Sequence, residues 1–296
     1  MCADSLEQAG HQTQLIPCGG RTLDLSVPQV MGILNITPDS FSDGGQFTVS
    51  ERVDIDRVCL RVEQMLAEGA AIIDVGGEST RPGAKPVSLN EEQDRVLPVI
   101  EAIDRRFDTI ISVDTSRPEI MRDAAILGAG MLNDVRALSR EGALEAAAAS
   151  ELPVCLMHMQ GTPETMQKSP DYTLLIDDIN VFLQSRIDVC VAAGIGKERL
   201  LIDPGFGFGK TLRHNLQLLG QLAQFKQLGC PILAGLSRKS MLGSLLGREV
   251  DQRLAGSVAL AMIAVTHGAG IVRVHDVAET VDALKVLAAV STFEKH

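Results

Sequence analysis

Eight short aliphatic runs, separated by longer stretches with helical spacing, constrain what this 296-residue chain can fold into. Each run is apolar throughout instead of alternating, which is typical of strands covered on both faces. The stretches between them repeat apolar residues with the 3.6-residue period of a helix. The runs are residues 30–34, 71–75, 109–113, 130–132, 154–157, 200–202, 232–234 and 271–274. The helical stretches include residues 53–68, 90–107, 118–127, 174–193, 215–228 and 253–267.

This alternation predicts an α/β protein with a single closed (β/α)8 TIM barrel over residues 30–296. Residues 11–28 place short apolar runs around Gly19-Gly20, which is a hairpin signal, so residues 1–29 are expected to form an N-terminal tail and a β-hairpin cap. A doubly wound parallel sheet is the alternative. Both folds place ligand sites at the carboxyl ends of their strands, which we call the rim.

Composition excludes several classes of protein. Twenty-seven basic against 38 acidic residues give a net charge of −11, which argues against a nucleic-acid binder held by phosphate contacts. No apolar stretch reaches the roughly 18 residues of a membrane span. The polar, acid-containing N-terminus fits neither a secretory signal nor a transit peptide, and the six cysteines show no CxxC pair. We therefore expect a cytoplasmic protein with reduced thiols.

Polar residues follow each of the eight runs and would meet at the rim. They are Asn35, the segment 76–81, Asp114, Asn133 with Asp134, His158, Asp203, the segment 237–239, and Arg273 with His275. Many of them could individually be helix caps, but together they predict a site. The loops over residues 35–45 and 76–86 mix Gly, Pro, Ser and Asp and are long for such connections, so we expect them to cover it.

The acidic part of this rim suits a flat heterocycle. Asp114 and Asp203 can each accept two parallel N–H bonds from an amidine-like edge, such as that of a 2-amino-4-oxo pterin or a guanine. Asn133 can both donate and accept along the rest of such an edge. The alternative is that Asp114 and Asn133 only cap the helices that follow them.

The segment DPGFGFGKT at residues 203–211 resembles two nucleotide-binding motifs but matches neither. Pro204 stands where a phosphate-binding Walker loop needs its first glycine, and its ring nitrogen has no N–H to offer a phosphate. Lys210 stands where a dinucleotide fingerprint needs its third glycine. What remains is an aspartate at a strand end followed by a Gly/Phe loop.

The basic part of the rim predicts an anion site on an otherwise acidic protein. Its groups are Arg238, Lys239, Arg273 and His275. Arg273 can form a fork to a phosphate. In a closed barrel Asn35 would lie beside Arg273 and could place Mg²⁺ on the same phosphates. For Arg238 a surface salt bridge, for example with Glu249, is the preferred interpretation.

Several segments together resemble one family, the bacterial type of dihydropteroate synthase of folate biosynthesis. They are GILNITPDSFSDGG, IIDVGGESTRPGA, SVDTSRPEI, LNDV, CLMHMQGTPETMQ, LIDPGFGFGK, GLSRKS and RVHDV. The resemblance covers the chain from the first predicted strand to the eighth. Arg117 stands where the family often has Lys, and this difference is expected to be peripheral.

The resemblance implies a transferase, usually a homodimer and a target of sulfonamides. It would join 6-hydroxymethyl-7,8-dihydropterin diphosphate to p-aminobenzoate and release diphosphate and 7,8-dihydropteroate. A dissociative substitution assisted by Mg²⁺ is the expected mechanism. A pterin-binding methyltransferase and a non-catalytic pterin carrier are the alternatives, but the SRKS, RVHDV and STRP segments favour the synthase.

The resemblance also implies roles for individual residues. The pterin pocket would comprise Asp114, Asn133, Met157, Asp203, Phe208 and Lys239. The diphosphate site would comprise Asn35, Arg273 and His275, with Mg²⁺ held by Asn35 and Asp39. The p-aminobenzoate pocket would comprise Phe41, Thr80, Arg81, Pro82 and Ser237. The catalytic groups would be Arg273, His275, Lys239, Asp114 and Asp203. From the sequence alone Met157 is more typical of core packing than of recognition.

Overall fold

A closed barrel of eight parallel strands forms the centre of the protein, in a computed structural model that describes residues 15–37, 48–49, 52–79, 87–161, 166 and 170–293. Around the barrel the strands follow the order β10-β11-β12-β3-β6-β7-β8-β9. The strands are β1 Leu15–Cys18, β2 Arg21–Asp24, β3 Gln29–Asn35, β4 Thr48–Val49, β5 Arg52–Val53, β6 Ile72–Gly76, β7 Ile110–Asp114, β8 Met131–Asp134, β9 Val154–Met157, β10 Leu200–Asp203, β11 Ile232–Ala234 and β12 Ala269–Val274. The predicted TIM barrel is confirmed, and every barrel strand begins and ends within two residues of its predicted run.

Helices connect the barrel strands and cover their outer face. They are α1 Ile55–Ala67, α2 Leu89–Arg106, α3 Pro118–Ile126, α4 Ala143–Ser150, α5 Leu175–Ala192, α6 Leu212–Gly220, α7 Ser240–Leu246, α8 Leu254–Thr266 and α9 Val277–Phe293. The prediction of one helix over residues 215–228 is wrong. Thr211 caps an earlier start, because its side chain accepts from the backbone N–H of His214 at 3.2 Å. Helix α6 ends at Gly220, a poor helix former, and a 3-10 segment, Leu222–Leu228, continues the chain.

The hydrophobic core has two layers, one outside and one inside the barrel. The outer layer packs the strands against the helices and contains large side chains such as Phe225, which is fully buried. The inner layer contains one side chain from each barrel strand, including Met31, Ile110 and Leu233. These residues lie near the amino ends of their strands, so the inner layer fills the barrel opposite the rim.

The predicted N-terminal hairpin closes this filled end. Strands β1 and β2 pair antiparallel, and Ile16, Cys18 and Leu23 pack into the inner layer. The approach is close, because a Cβ atom added to Gly130 would lie 2.8 Å from the carbonyl oxygen of Cys18. Arg21 also fixes the hairpin from outside, with its Nε atom 2.9 Å from Asp108. The plugged end leaves the rim as the accessible end of the barrel.

Two expectations from composition can be compared with the structure. Within the described ranges no helix combines the length and the apolar character needed to cross a bilayer. The described cysteines are all free and buried: Cys18, Cys59, Cys155, Cys190 and Cys230. The interpretation of buried thiols is thus confirmed for these five residues.

We predict that Gly130→Ala lowers the free energy of unfolding by about 1–3 kcal/mol, because the added methyl group overpacks the contact with Cys18. Gly220→Ala is the matched control, because a Cβ atom at that helical position meets no atom within 4 Å. It should leave stability unchanged or raise it slightly. Urea unfolding of both variants measures the difference, and equal midpoints would contradict the role assigned to the close approach.

Candidate active site

The rim brings together inward-facing polar side chains from strands that are far apart in sequence. Asp114 and Asn133 are in register on β7 and β8, and Gly76 of β6 is in register with both Asn35 and Asp114. Asn133 is buried, whereas Asp114 is only partly so. The predicted convergence of Asn35, Asp114 and Asn133 therefore follows directly from the strand register.

Arg273 on β12 is paired with two carboxylates of this rim. Its Nε atom lies 2.5 Å from Oδ2 of Asp74, and its Nη2 atom lies 3.0 Å from Oδ2 of Asp114. Asp74 is fully buried and also accepts a hydrogen bond from Nδ2 of Asn133 at 3.3 Å. Four side chains from four strands thus form one charged network, in which a single guanidinium compensates two carboxylates.

Burial and mutual charge shift the pKa values in this network. Burial raises the pKa of Asp114 to about 7, an effect that Arg273 opposes and Asp74 strengthens. Burial alone would lower the pKa of Arg273, but Asp74 and Asp114 outweigh it and raise the pKa above its ordinary value. Arg273 is therefore a permanent cation, and Asp114 can change its charge near neutral pH.

A second group forms around Asp203 at the end of β10. The buried Asp203 carboxylate accepts a hydrogen bond from the backbone N–H of Gly205 at 2.7 Å. Lys239 donates to the carbonyl oxygen of Phe206, and its Nζ atom lies 4.7 Å from the centroid of the Phe208 ring. Burial lowers the pKa of Lys239 to about 8, and the charge of Asp203 opposes that shift. These residues form a carboxylate, an ammonium group and an aromatic face in one place.

The two groups face the same space. The charge of Asp203 is among the causes that raise the pKa of Arg273, and the charge of Arg273 is among the causes that lower the pKa of Lys239. Met157 of β9 is buried and in register with Asp203, so it lies on the same face of the barrel wall. A Cβ atom added to Gly235 would lie 3.8 Å from Nζ of Lys239 and 3.9 Å from Cβ of Arg273, so the two groups are adjacent at the rim.

The residues predicted for the diphosphate and the arylamine adjoin each other. Nδ1 of His275 lies 3.0 Å from Oγ of Ser237, which also accepts from the backbone N–H of His275 at 3.2 Å.

A Cβ atom at Gly76 would lie 3.6 Å from Oδ1 of Asn35 and 3.7 Å from Oδ2 of Asp114. The side chains of Asn35 and Asp114 thus lie on either side of Gly76.

The metal prediction rests on Asn35 alone among the described residues. No cluster of three or more His, Cys, Asp or Glu suited to a metal ion occurs in the described part of the chain. Mg²⁺ is commonly bound through one or two protein oxygens together with substrate phosphates, and the amide oxygen of Asn35 near Asp114 fits that mode. The other predicted residues of the covering loops lie outside the described residues: Asp39, Phe41, Thr80, Arg81 and Pro82.

Comparison with known proteins agrees with this geometry. Residues 31–275 match the family described as Pterin binding enzyme. A Haemophilus influenzae protein named dihydropteroate synthase is 57% identical over 269 residues, which cover 91% of this chain and 96% of that protein. The chain belongs to the dihydropteroate synthase family.

Solved structures of dihydropteroate synthases share this fold closely. The Yersinia pestis enzyme in a sulfonamide drug complex gives a TM-score of 0.90 at 55% identity and covers 94% of this chain and 99% of its own. The Xanthomonas albilineans enzyme with 4-aminobenzoic acid gives 0.87 at 49% identity, covering 95% and 99%. Membership in the dihydropteroate synthase family confirms the resemblance stated from the motifs and the prediction of a transferase.

Sequence reasoning missed one member of this dihydropteroate synthase rim, Asp74. It stands inside the second aliphatic run, in IIDVG, and was therefore treated as part of a buried strand. A carboxylate within such a run is costly unless it is paired, and that cost was the available signal. The partner, Arg273, lies 199 residues further along the chain and could be identified only from the barrel.

One expectation about arginines needs correction. Arg238 pairs with Asp276 and not with Glu249: its Nε atom lies 3.0 Å from Oδ2 of Asp276, just before α9, whereas Glu249 is exposed. The Nε atom of Arg117 lies 2.7 Å from the fully buried Glu92, which is not a predicted site residue, so its peripheral role toward the site stays a prediction. Both pairs fix loops that follow barrel strands.

We predict that Asp74→Asn lowers the free energy of unfolding by about 3 kcal/mol, because it removes the fully buried one of the two counterions of Arg273. Thermal and urea unfolding measure the loss. Asp282→Asn is the control, since its ion pair with Lys285 is mostly exposed and should contribute nothing measurable. Equal stability of the two variants would show that the Arg273 network is not a structural anchor.

Proposed function

We propose that this protein catalyses the dihydropteroate synthase reaction, in which 6-hydroxymethyl-7,8-dihydropterin diphosphate and p-aminobenzoate give 7,8-dihydropteroate and diphosphate. The observation that carries the proposal is the placement of Arg273 between Asp74 and Asp114, on the same rim as Asp203 and Lys239. Acids for a flat heterocycle and a cation for its anionic substituent thus occur together. Relatives named for this activity support the assignment.

The pterin would bind against the acidic side of the rim. Asp203 and Asp114 would accept N–H bonds from the 2-amino and ring N–H groups, and Asn133 would complete the edge. Phe208 and Met157 offer apolar surface to the ring plane, and Lys239 donates from the side of Asp203. The buried position of these groups makes their hydrogen bonds stronger than in water.

The diphosphate would occupy the basic side, beside Asn35, Arg273 and His275. Mg²⁺, with Asn35 and the predicted Asp39 as its protein ligands, would supply additional neutralisation of phosphate charge. Arg273 stays charged at every working pH because its two carboxylates raise its pKa. It can therefore stabilise the charge that develops on the departing diphosphate.

We infer a dissociative substitution on this arrangement. The bond from the exocyclic carbon to the diphosphate oxygen breaks first, and the bonding pair leaves with the diphosphate. The pterin ring delocalises the positive charge, which Asp114 and Asp203 favour as nearby carboxylates. The amine of p-aminobenzoate then attacks the carbon, and its surplus proton passes to solvent water. No protein nucleophile is required. Ser237, next to His275, would border the arylamine together with Phe41, Thr80, Arg81 and Pro82.

We predict that the protein releases diphosphate only when the pterin diphosphate, p-aminobenzoate and Mg²⁺ are all present, and that a chelator abolishes the release. Arg273→Ala should lower turnover by about 10²–10³, since a group that stabilises developing charge is lost. Diphosphate release, measured by a coupled assay, checks both outcomes. Circular dichroism must accompany it, because this variant leaves Asp74 and Asp114 without their cation.

Arg105→Ala is the control for charge removal, because Arg105 lies on the exposed face of α2 and should retain wild-type turnover. Pterin binding without diphosphate release would instead identify a carrier. Turnover near the wild-type value in a folded Arg273→Ala protein would remove Arg273 from the mechanism.

A homodimer is part of the same proposal. Helices α8 and α9 pack side by side, and both present aliphatic side chains to solvent. Val286 and Val290 of α9 are each more than half exposed, and Ile263 of α8 is exposed as well. Clustered apolar side chains at a protein surface are typical of an interface, and we assign this one to a second copy of the chain.

We predict that Val286→Glu shifts the protein from dimer to monomer at micromolar concentration, because it places a charge in the apolar contact. Val181→Glu is the matched control: Val181 is exposed on α5, which packs beside β9, opposite β3 and α9 in the strand order. Sedimentation equilibrium measures both. A monomeric wild type, or equal dissociation of the two variants, would contradict the assignment.

A cytoplasmic location also belongs to the proposal. Free, buried thiols such as Cys155 and Cys190 are typical of proteins in a reducing compartment.

A further inference from the structure

A buried lysine outside the proposed reaction lies beneath the pterin side of the rim. Lys210, at the end of the loop after β10, is only 3% exposed. Its Nζ atom lies 2.8 Å from the carbonyl oxygen of Gly205, 3.1 Å from that of Phe208 and 3.0 Å from Nδ1 of His158. Burial lowers the pKa of Lys210 well below its ordinary value, and the charge of Asp203 opposes that shift. The three acceptors match the three N–H donors of an ammonium group and therefore favour the charged form.

His158 is suited to accept from Lys210. Burial, and after it the charge of Lys210, lowers the pKa of His158 to about 2, so its imidazole is neutral. The ring stands edge-on to Phe182 at a centroid distance of 4.9 Å. A neutral imidazole with Nδ1 unprotonated accepts the third hydrogen bond of the ammonium group.

Gly205 links Lys210 directly to Asp203. The backbone N–H of Gly205 donates to Oδ1 of Asp203 at 2.7 Å, and the carbonyl oxygen of Gly205 accepts from Lys210. The peptide has little freedom, because Gly205 has φ of +73° and an added Cβ atom would lie 1.8 Å from the carbonyl oxygen of His158. The backbone N–H of His158 in turn donates to the carbonyl oxygen of Asp203 at 2.8 Å.

We propose that Lys210 is a positioning residue for pterin binding. By holding Gly205 it commits Oδ1 of Asp203 to the backbone, which leaves Oδ2 for the ligand, and its positive charge keeps Asp203 ionised. The proposal rests on the proposed function, because it takes Asp203 as the pterin acceptor. It explains why a cation is buried where no anionic substrate is expected, since a buried charge needs a compensating one.

Several groups set the charge of Asp203. Burial raises its pKa, whereas Lys239, the Gly205 N–H, Lys210 and Arg273 all lower it. The thiol of Cys155 faces it from β9, and His158 lies beside it as a neutral ring. Lys239 and Arg273 also contact the proposed substrate, so Lys210 is the cation whose removal changes Asp203 without removing a ligand group.

The test is the pH dependence of binding of 6-hydroxymethylpterin, a probe without the diphosphate, by calorimetry between pH 5 and 8. All proteins carry Asp114→Asn, so that the titration of Asp114 near pH 7 does not contribute to the midpoint. Lys210→Gln removes the charge but retains two donors for the carbonyl oxygens, and Lys210→Met removes both. In each variant the pH midpoint below which affinity is lost should rise by about one unit, since an opposite charge lowers a carboxyl pKa by about that much or more. Below the midpoint the variants should bind about tenfold more weakly, and above it the curves should converge.

One control keeps the positive charge at position 210, and the other removes a positive charge far from the rim. Lys210→Arg retains the cation and should keep the wild-type midpoint. Lys226→Met loses the same charge from an exposed lysine on the 3-10 segment before β11, at the end of the barrel opposite the rim, and should give the wild-type curve. A variant curve displaced equally at every pH would mean a merely structural role and would overturn the proposal.

Failure of the proposed function gives a different result, namely a wild-type protein that binds no pterin at any pH. If neither neutral variant folds, the wild type decides by ¹⁵N NMR of the lysine side chains, with the Lys210 signal assigned by its absence in Lys210→Arg. A charged Lys210 at pH 7 supports the proposal, and a neutral amine overturns it.

Discussion

Arg273 can lie at the rim only because two carboxylates accompany it, and most of the site is arranged around this requirement. A buried guanidinium without partners would be too costly, and Asp74 and Asp114 without a cation would be costly too. The three groups come from β12, β6 and β7, so their pairing also links β12 to two strands from which β3 separates it. The charge network is therefore both a structural element and a candidate binding element.

The two ends of the barrel differ in composition and in role. The plugged end is apolar: Ile16 and Leu23 of the hairpin pack on the inner layer, whose contribution grows with the apolar area removed from water. The rim instead holds Asp74, Asp203 and Lys210, which are all buried and ionisable. This packed, apolar end supports the placement of costly polar groups at the other end, as is common for sites on TIM barrels.

The sequence predicted much of this fold because its strands are buried on both faces and therefore read as continuous aliphatic runs. It also predicted the convergence of Asp114, Asn133, Asp203 and Arg273, because carboxyl ends of parallel strands share one edge. It could not predict pairings that depend on packing. Asp276 was not chosen for Arg238, since only the start of α9 brings that carboxylate to the loop.

Lys210 shows a related limit. Within DPGFGFGKT, Lys210 resembles the lysine of a phosphate-binding loop. Because the segment does not match that motif, the sequence assigned no function to this lysine. The structure places its Nζ atom on two carbonyl oxygens of its own loop, which no motif describes. A sequence motif shows which polar side chains are available, whereas burial in the folded protein decides which of them must form hydrogen bonds or ion pairs.

The overall charge of −11 gives no guide to the anion site, because the rim is compensated locally. Asp74, Asp114 and Asp203 balance Lys210, Lys239 and Arg273, so the six groups together are close to neutral when all are ionised. Burial raises the pKa of Asp114 to about 7, and the charge of Arg273 opposes that shift. The charge of the rim is therefore set by its own buried pairs and not by the excess of acidic residues over the whole chain.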